Sequence, residues 1–121
     1  MTMATINQSL EELLTLDGAL CAALVDSNSG MMLGSAGMGL DLEAASAGNT
    51  EVVRSKLKTI NLLKLNDHIE DILITLGRQY HLIRPLSNKP EIFIYYVLDK
   101  KKSNLALARL KIAEADGGIS F

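Results

Sequence analysis

DILITLGRQYHLIRPL, residues 71–86, is the stretch whose reading decides the fold. Ile72, Ile74 and Leu76 alternate with Asp71, Leu73 and Thr75. Gly77-Arg78 interrupts the pattern, and Tyr80, Leu82 and Arg84 then alternate with His81 and Ile83. Period-two alternation on both sides of a glycine-containing turn predicts a β-hairpin, because successive strand side chains point to opposite faces. Downstream, Ser87-Asn88-Lys89-Pro90 reads as a second turn. EIFIYYVL, 91–98, is apolar nearly throughout, as expected of a strand covered on both faces. Asp99 and three lysines follow. Ser103 can cap a last helix over 104–115, whose Leu105, Ala108, Ile112 and Ala115 share one face, and Asp116-Gly117-Gly118 ends it.

Upstream of the hairpin the longest amphipathic pattern in the chain spans 42–64, with Asp41 placed as its N-cap. Leu42, Ala45, Val52, Val53, Leu57, Ile60 and Leu63 fall in a stripe about 140° wide, with Glu43, Glu51, Arg54, Lys58 and Asn61 opposite. Gly48-Asn49 is a weak point inside it, costing about 1 kcal/mol. GALCAALVD, 18–26, reads as a central strand and MMLGSA, 31–36, as its return across the turn SNSG. Thr5 and Gln8 form a capping-box pattern for a first helix over 6–16, stopped by Asp17-Gly18. The expected order is α-β-β-α-β-β-β-α: an α+β fold of one domain, 1–121, whose five-stranded antiparallel sheet carries helices on both faces.

The chemistry-bearing residues are sparse. A hydrolase or lyase needs an acid, a base and usually a nucleophile within reach of one another. Cys21 lies inside an apolar strand and reads as a small buried hydrophobe, since a reactive thiol needs an electropositive, partly open setting. His68 and His81 stand in no metal-ligand spacing. Glu70 and Asp71 are adjacent, so in a strand they point apart. Gly34, Gly37 and Gly39 have the order G-x-x-G-x-G, which is neither a phosphate loop nor a dinucleotide loop, and they read as a flexible connection between strand and helix. His81 and Arg84 are expected on opposite faces of their strand. Tyr80, Leu82 and Arg84 share a face, and the Arg84 head reaches an edge or a carboxylate.

With 12 basic and 14 acidic residues the net charge is -2, so no overall field draws nucleic acid or an acidic membrane. The lysines at 100–102 and those of the long helix form no groove interleaved with aromatic residues. No apolar run approaches the roughly 20 residues of a membrane span. The opening MTMATINQSLEELL lacks the basic and continuous apolar regions of a signal peptide, and a cytoplasmic location is expected. No cofactor is called for.

The element order is joined by three softer patterns. One is a small-residue strand, Ala19 to Asp26, followed by a short turn and Gly30. The second is the 71–86 hairpin leading into an apolar strand. The third is Val97-Leu98-Asp99, a basic spacer, then Asn104-Leu105-Ala106-Leu107-Ala108-Arg109. Together they resemble the roadblock / dynein light chain superfamily over nearly the whole chain. The resemblance implies a profilin-like fold, pairing through the sheets and no enzymatic chemistry of its own. It also implies binding to Ras-like small GTPases or service as a light chain or scaffold, bacterial members being similar to regulators of a polarity-type GTPase. In that topology residues 71–76 form an edge. They carry no proline or lysine to blunt it, so Asp71, Ile72, Leu73, Ile74, Thr75 and Leu76 are expected at a homodimer seam. The exposed side of the long helix, with Glu51, Arg54, Lys58 and Asn61, is the expected surface for the GTPase. The alternative is a small-molecule-sensing domain with a pocket between sheet and helix.

Overall fold

The computed structural model describes residues 5–119. In chain order it has α1 (Ile6–Leu13), β1 (Ala19–Asp26), β2 (Met31–Gly37), α2 (Leu42–Leu62), β3 (Ile72–Thr75), β4 (Gln79–Leu86), β5 (Lys89–Asp99) and α3 (Leu105–Gly118). The five strands form one antiparallel sheet in the order β2-β1-β5-β4-β3. The expected α-β-β-α-β-β-β-α order and α+β architecture are what the chain adopts.

The two sheet faces have separate cores. On one, Leu10 and Leu13 of α1 and Ala108 and Ile112 of α3 pack on Leu24, Leu82, Ile94 and Tyr96. On the other, Leu42 and Val53 of α2 cover Cys21, Val25, Ile83, Phe93, Tyr95 and Val97. β5 supplies both cores through alternate residues, which is why its sequence is apolar at almost every position. The Tyr96 hydroxyl, itself buried, donates to the Leu13 carbonyl at 2.6 Å and ties the end of α1 to the sheet.

The ends of the helices follow local chemistry. The Thr5–Gln8 capping box forms in both directions, at 2.9 and 3.1 Å. α1 stops at Leu13, short of the expected 16, because its end tightens: Leu14 and Thr15 donate to carbonyls three residues back, and the Thr15 hydroxyl donates to Glu12 O as well. Asp41 caps α2 by accepting the Ala44 N–H. α3 is capped by Asn104 rather than Ser103 and runs on through Asp116-Gly117-Gly118. Asp116, read above as part of a stop, is instead a buried acceptor inside the helix.

One turn is also tighter than expected. Leu86 pairs with Lys89, so the second hairpin closes on Ser87-Asn88 and β5 already begins at Lys89. Gly34 and Gly37 lie within β2, correcting the reading of a flexible loop. A Cβ on Gly34 would sit 2.7 Å from Ile6 Cγ2, and one on Gly37, which has a positive φ, would collide with the Leu20 carbonyl. These glycines admit close packing of α1 on β2 and a bend at the strand's end.

Candidate interaction surfaces

β3 is the sheet edge predicted for it, paired to β4 on one side only: Ile72 with Ile83, Leu73 with Leu82, Ile74 with His81 and Thr75 with Tyr80. The strand is shorter than 71–76. Leu76 closes the turn by donating to Gln79 O, and Asp71 is held outside the ladder by Arg109 of α3, at 3.3 and 3.4 Å. Ile72, Leu73 and Ile74 are half-buried, while Thr75 and Leu76 are exposed. No charge or proline occurs in Ile72–Thr75. The proline of this region is Pro85, on β4 one residue past Arg84 and beyond the last β3 partner, where a missing N–H costs nothing. β4 is therefore blunted where it outruns β3, and β3 itself is not.

α2 differs from the expected stripe in an informative way. The residues it buries are Leu42, Ser46, Thr50 and Val53, so two of the four are hydroxyl-bearing. Ser46 and Thr50 return their hydroxyls to the carbonyls four residues back, at 2.6 and 2.8 Å, which satisfies them without any partner from the sheet. Val52 and Leu63, assigned to the buried stripe by periodicity, are 38% and 62% exposed. Periodicity turns the wheel toward the largest side chains, but the sheet is approached by the small polar ones.

Val52 lies on the flank of α2 that looks along β3. A groove of about 580 Å³ runs there between Glu51, Val52, Ser55 and Lys56 of the helix and Asp71 and Ile72 of the edge. Ala45, Gly48, Val52, Ser55 and Thr59 repeat along this flank at spacings of three and four. Nothing lies within 4 Å of where a Gly48 Cβ would be, so one copy of the chain does not require glycine there. This spacing is legible in the sequence but is hidden by the stronger apolar pattern beside it.

Glu51, Arg54, Lys58 and Asn61 are all exposed. Arg54, Lys58 and Asn61 come together on a second groove of about 600 Å³, opposite Ser27, Asn28, Pro90 and Glu91 and floored by Leu57 and Leu62. Glu51 belongs to the β3-side groove instead, and its contact with Arg54 is a loose 4.0 Å. The space directly under α2 is filled by the Val53–Phe93–Tyr95 packing, and the grooves open along its flanks.

The remaining polar residues are structural in their contacts. His81 Nδ1 meets the Tyr95 hydroxyl at 3.0 Å and Nε2 meets Gln79 Oε1 at 2.9 Å, on the α2 face. Arg84, on the opposite face, donates from Nε to Asp116 Oδ2 at 3.0 Å, the carboxylate expected for it. The Asp116 Oδ1 accepts the Ser87 N–H, and Oδ2 also accepts the Ser87 hydroxyl. Burial pushes the Cys21 thiol up to about 11, so the thiolate form is suppressed. Among the described residues no three His, Cys, Asp or Glu groups stand together to hold a metal, and no helix is long and apolar enough to cross a membrane.

No family model matches the sequence, and no curated protein matches it. Solved structures do. The chain is similar to Myxococcus xanthus MglB, with a TM-score of 0.82 at 19% identity over 93% of this chain and 89% of that one. It is similar to a roadblock/LC7 domain from Streptomyces avermitilis, with a TM-score of 0.81 at 9% identity over 94% and 93%. It is also similar to the gliding protein MglB from Thermus thermophilus, with a TM-score of 0.76 at 18% identity over 91% and 82%. The fold is that of the roadblock/LC7 domains.

Proposed function

We propose that the chain is a roadblock-type regulator that works as a symmetric homodimer and docks a Ras-like small GTPase. The observation that carries the dimer is the continuity of two unfinished surfaces. The unblunted β3 edge and the small-residue flank of α2 meet across one groove. β3 pairing with its own copy extends the sheet to ten strands and brings the two α2 helices together in antiparallel. The small residues of the flank, Gly48 and Ser55 among them, then face their counterparts on the other helix, and glycine admits such close approach. Val52 is 38% exposed in a single copy, and this arrangement covers it.

The GTPase reading rests on the fold likeness to MglB and on the sequence resemblance to a superfamily whose members bind such proteins. Arg54, Lys58 and Asn61, beside Leu57 and Leu62, supply a mixed basic and apolar groove that a two-fold assembly presents twice. Mixed-charge surfaces of this kind favour specificity over raw affinity. The test is calorimetric titration with the small GTPase encoded alongside the protein, in both nucleotide states. Wild-type protein binds in at least one state, and reversing Arg54 and Lys58 to glutamate weakens binding by about tenfold or more while leaving stability within about 0.5 kcal/mol. Absence of binding in both states contradicts the GTPase reading. Undiminished binding by the double reversal removes this groove from it.

A further inference from the structure

We infer that the cavity beneath the segment joining α2 to β3 is a binding site for a small zwitterion with an apolar body, the size of a free aliphatic amino acid. It goes beyond the docking function and stands independently of it. The cavity holds about 330 Å³, at the lower end of the range for small-molecule sites. Residues 67–70 form one wall and the end of β4, from Arg84, forms the facing one. Leu57, Ile69, Pro85 and Pro90 give it an apolar lining.

Its two walls carry opposite charges with capacity to spare. Arg84 commits Nε to Asp116, and its two terminal nitrogens make no bond among the described residues. Its side chain is only 20% exposed, so this fork of donors is largely removed from water. Asp116 is already satisfied by Ser87 and Arg84 Nε and has no need of the fork. On the facing wall Glu70 has no partner among the described residues. Asp67, on the exposed side of this wall, accepts only the backbone N–H of its neighbour His68, at 2.8 Å, and the His68 ring stands 3.6 Å from the same oxygen.

A plain anion would gain the Arg84 fork but meet two carboxylates. A plain cation would gain the carboxylates but meet a guanidinium. A molecule carrying both charges a few bonds apart satisfies both walls, and planar two-point recognition of a carboxylate is what a guanidinium does best. A branched hydrocarbon body then covers the proline and leucine surface between them.

The experiment is a titration followed by ¹⁵N–¹H correlation spectra of the full chain. The probes are L-leucine, isocaproate, which lacks the ammonium group, and isoamylamine, which lacks the carboxylate. Leucine at millimolar concentration is expected to shift the amides of 67–70, Leu86 and Ser87. Each analogue should bind about tenfold more weakly or worse, as the loss of one charge-assisted contact implies. Glu70→Gln should weaken leucine binding without lowering the melting temperature, since Glu70 is exposed. Ile69→Trp should abolish binding by filling the cavity while leaving the Arg84–Asp116 pair alone. Absence of leucine-dependent shifts at those amides overturns the inference. So does either analogue binding as well as leucine.

Discussion

Asp116 and His81 show two different ways in which this chain keeps a polar group inside. Burial alone would push the Asp116 carboxyl up. The two bonds from Ser87 and the Arg84 guanidinium outweigh it and hold the group below the usual carboxylate value of 3.8. Its contribution is therefore complete above that value and is lost as pH falls through the still lower value of the folded state. Asp116→Asn leaves Arg84 without its counter-charge in a site where the Asp116 side chain is only 4% exposed. The expected loss is about 3 kcal/mol, read as a lowered urea midpoint. His81 works in the opposite range. Burial lowers its value beneath the ordinary 6.5, so the unfolded chain takes up a proton first. Stability from this site is present above about pH 6.5 and declines as pH falls through the folded value. Urea titrations from roughly pH 7 to 5 should show that decline in the wild type and a flatter profile in His81→Asn. An unchanged slope in the variant would contradict this assignment.

The elements repeat the lesson at a larger scale, and α2 states it best. Its end is a helix-terminating loop in which Leu65 N–H reaches Ile60 O and Lys64 N–H reaches Asn61 O. The residue that must turn left-handed there is Lys64, with φ 53, where glycine is the usual choice. Lys64→Gly should therefore stabilise the protein by about 0.5–1 kcal/mol in urea denaturation. That unusual residue is also why the helix end was not legible: without glycine the pattern simply runs on to 64. By contrast the caps at Thr5 and Asp41, the hairpin around Gly77-Arg78 and the doubly covered β5 were readable, because each rests on local chemistry or on period two. Less readable was anything decided by a neighbour. Ser46 and Thr50 became buried by returning their hydroxyls to their own helix, which left Val52 to the flank. Asp116 reads as a stop until Arg84 and Ser87, about thirty residues upstream, are brought to it. Of the candidate surface, the edge at Ile72–Thr75 and the exposed Arg54, Lys58 and Asn61 could be found from sequence. Their division into two grooves could not, since it depends on where residues 27–28, 71–72 and 90–91 fold against α2.

At the scale of the molecule, a single copy leaves two neighbouring surfaces open. Its sheet ends at a strand with no proline, charge or bulge to turn partners away, and the helix beside that strand carries a glycine that its own fold does not use. In the proposed dimer, two copies related by a two-fold axis would complete both features at once. They would also set two α2 grooves side by side as a platform for the proposed GTPase. The most direct measurement is the mass in solution, by light scattering at micromolar concentration, of the wild type and of two variants. The wild type should report twice its chain mass of 13.1 kDa. Ile74→Pro, which removes a ladder donor from β3, should report a monomer or an aggregate. Gly48→Leu should report a folded monomer, because it fills the notch between helices while improving helix propensity by about 0.8 kcal/mol. A wild type that is already monomeric under these conditions, or a Gly48→Leu variant that remains a dimer, would contradict the account.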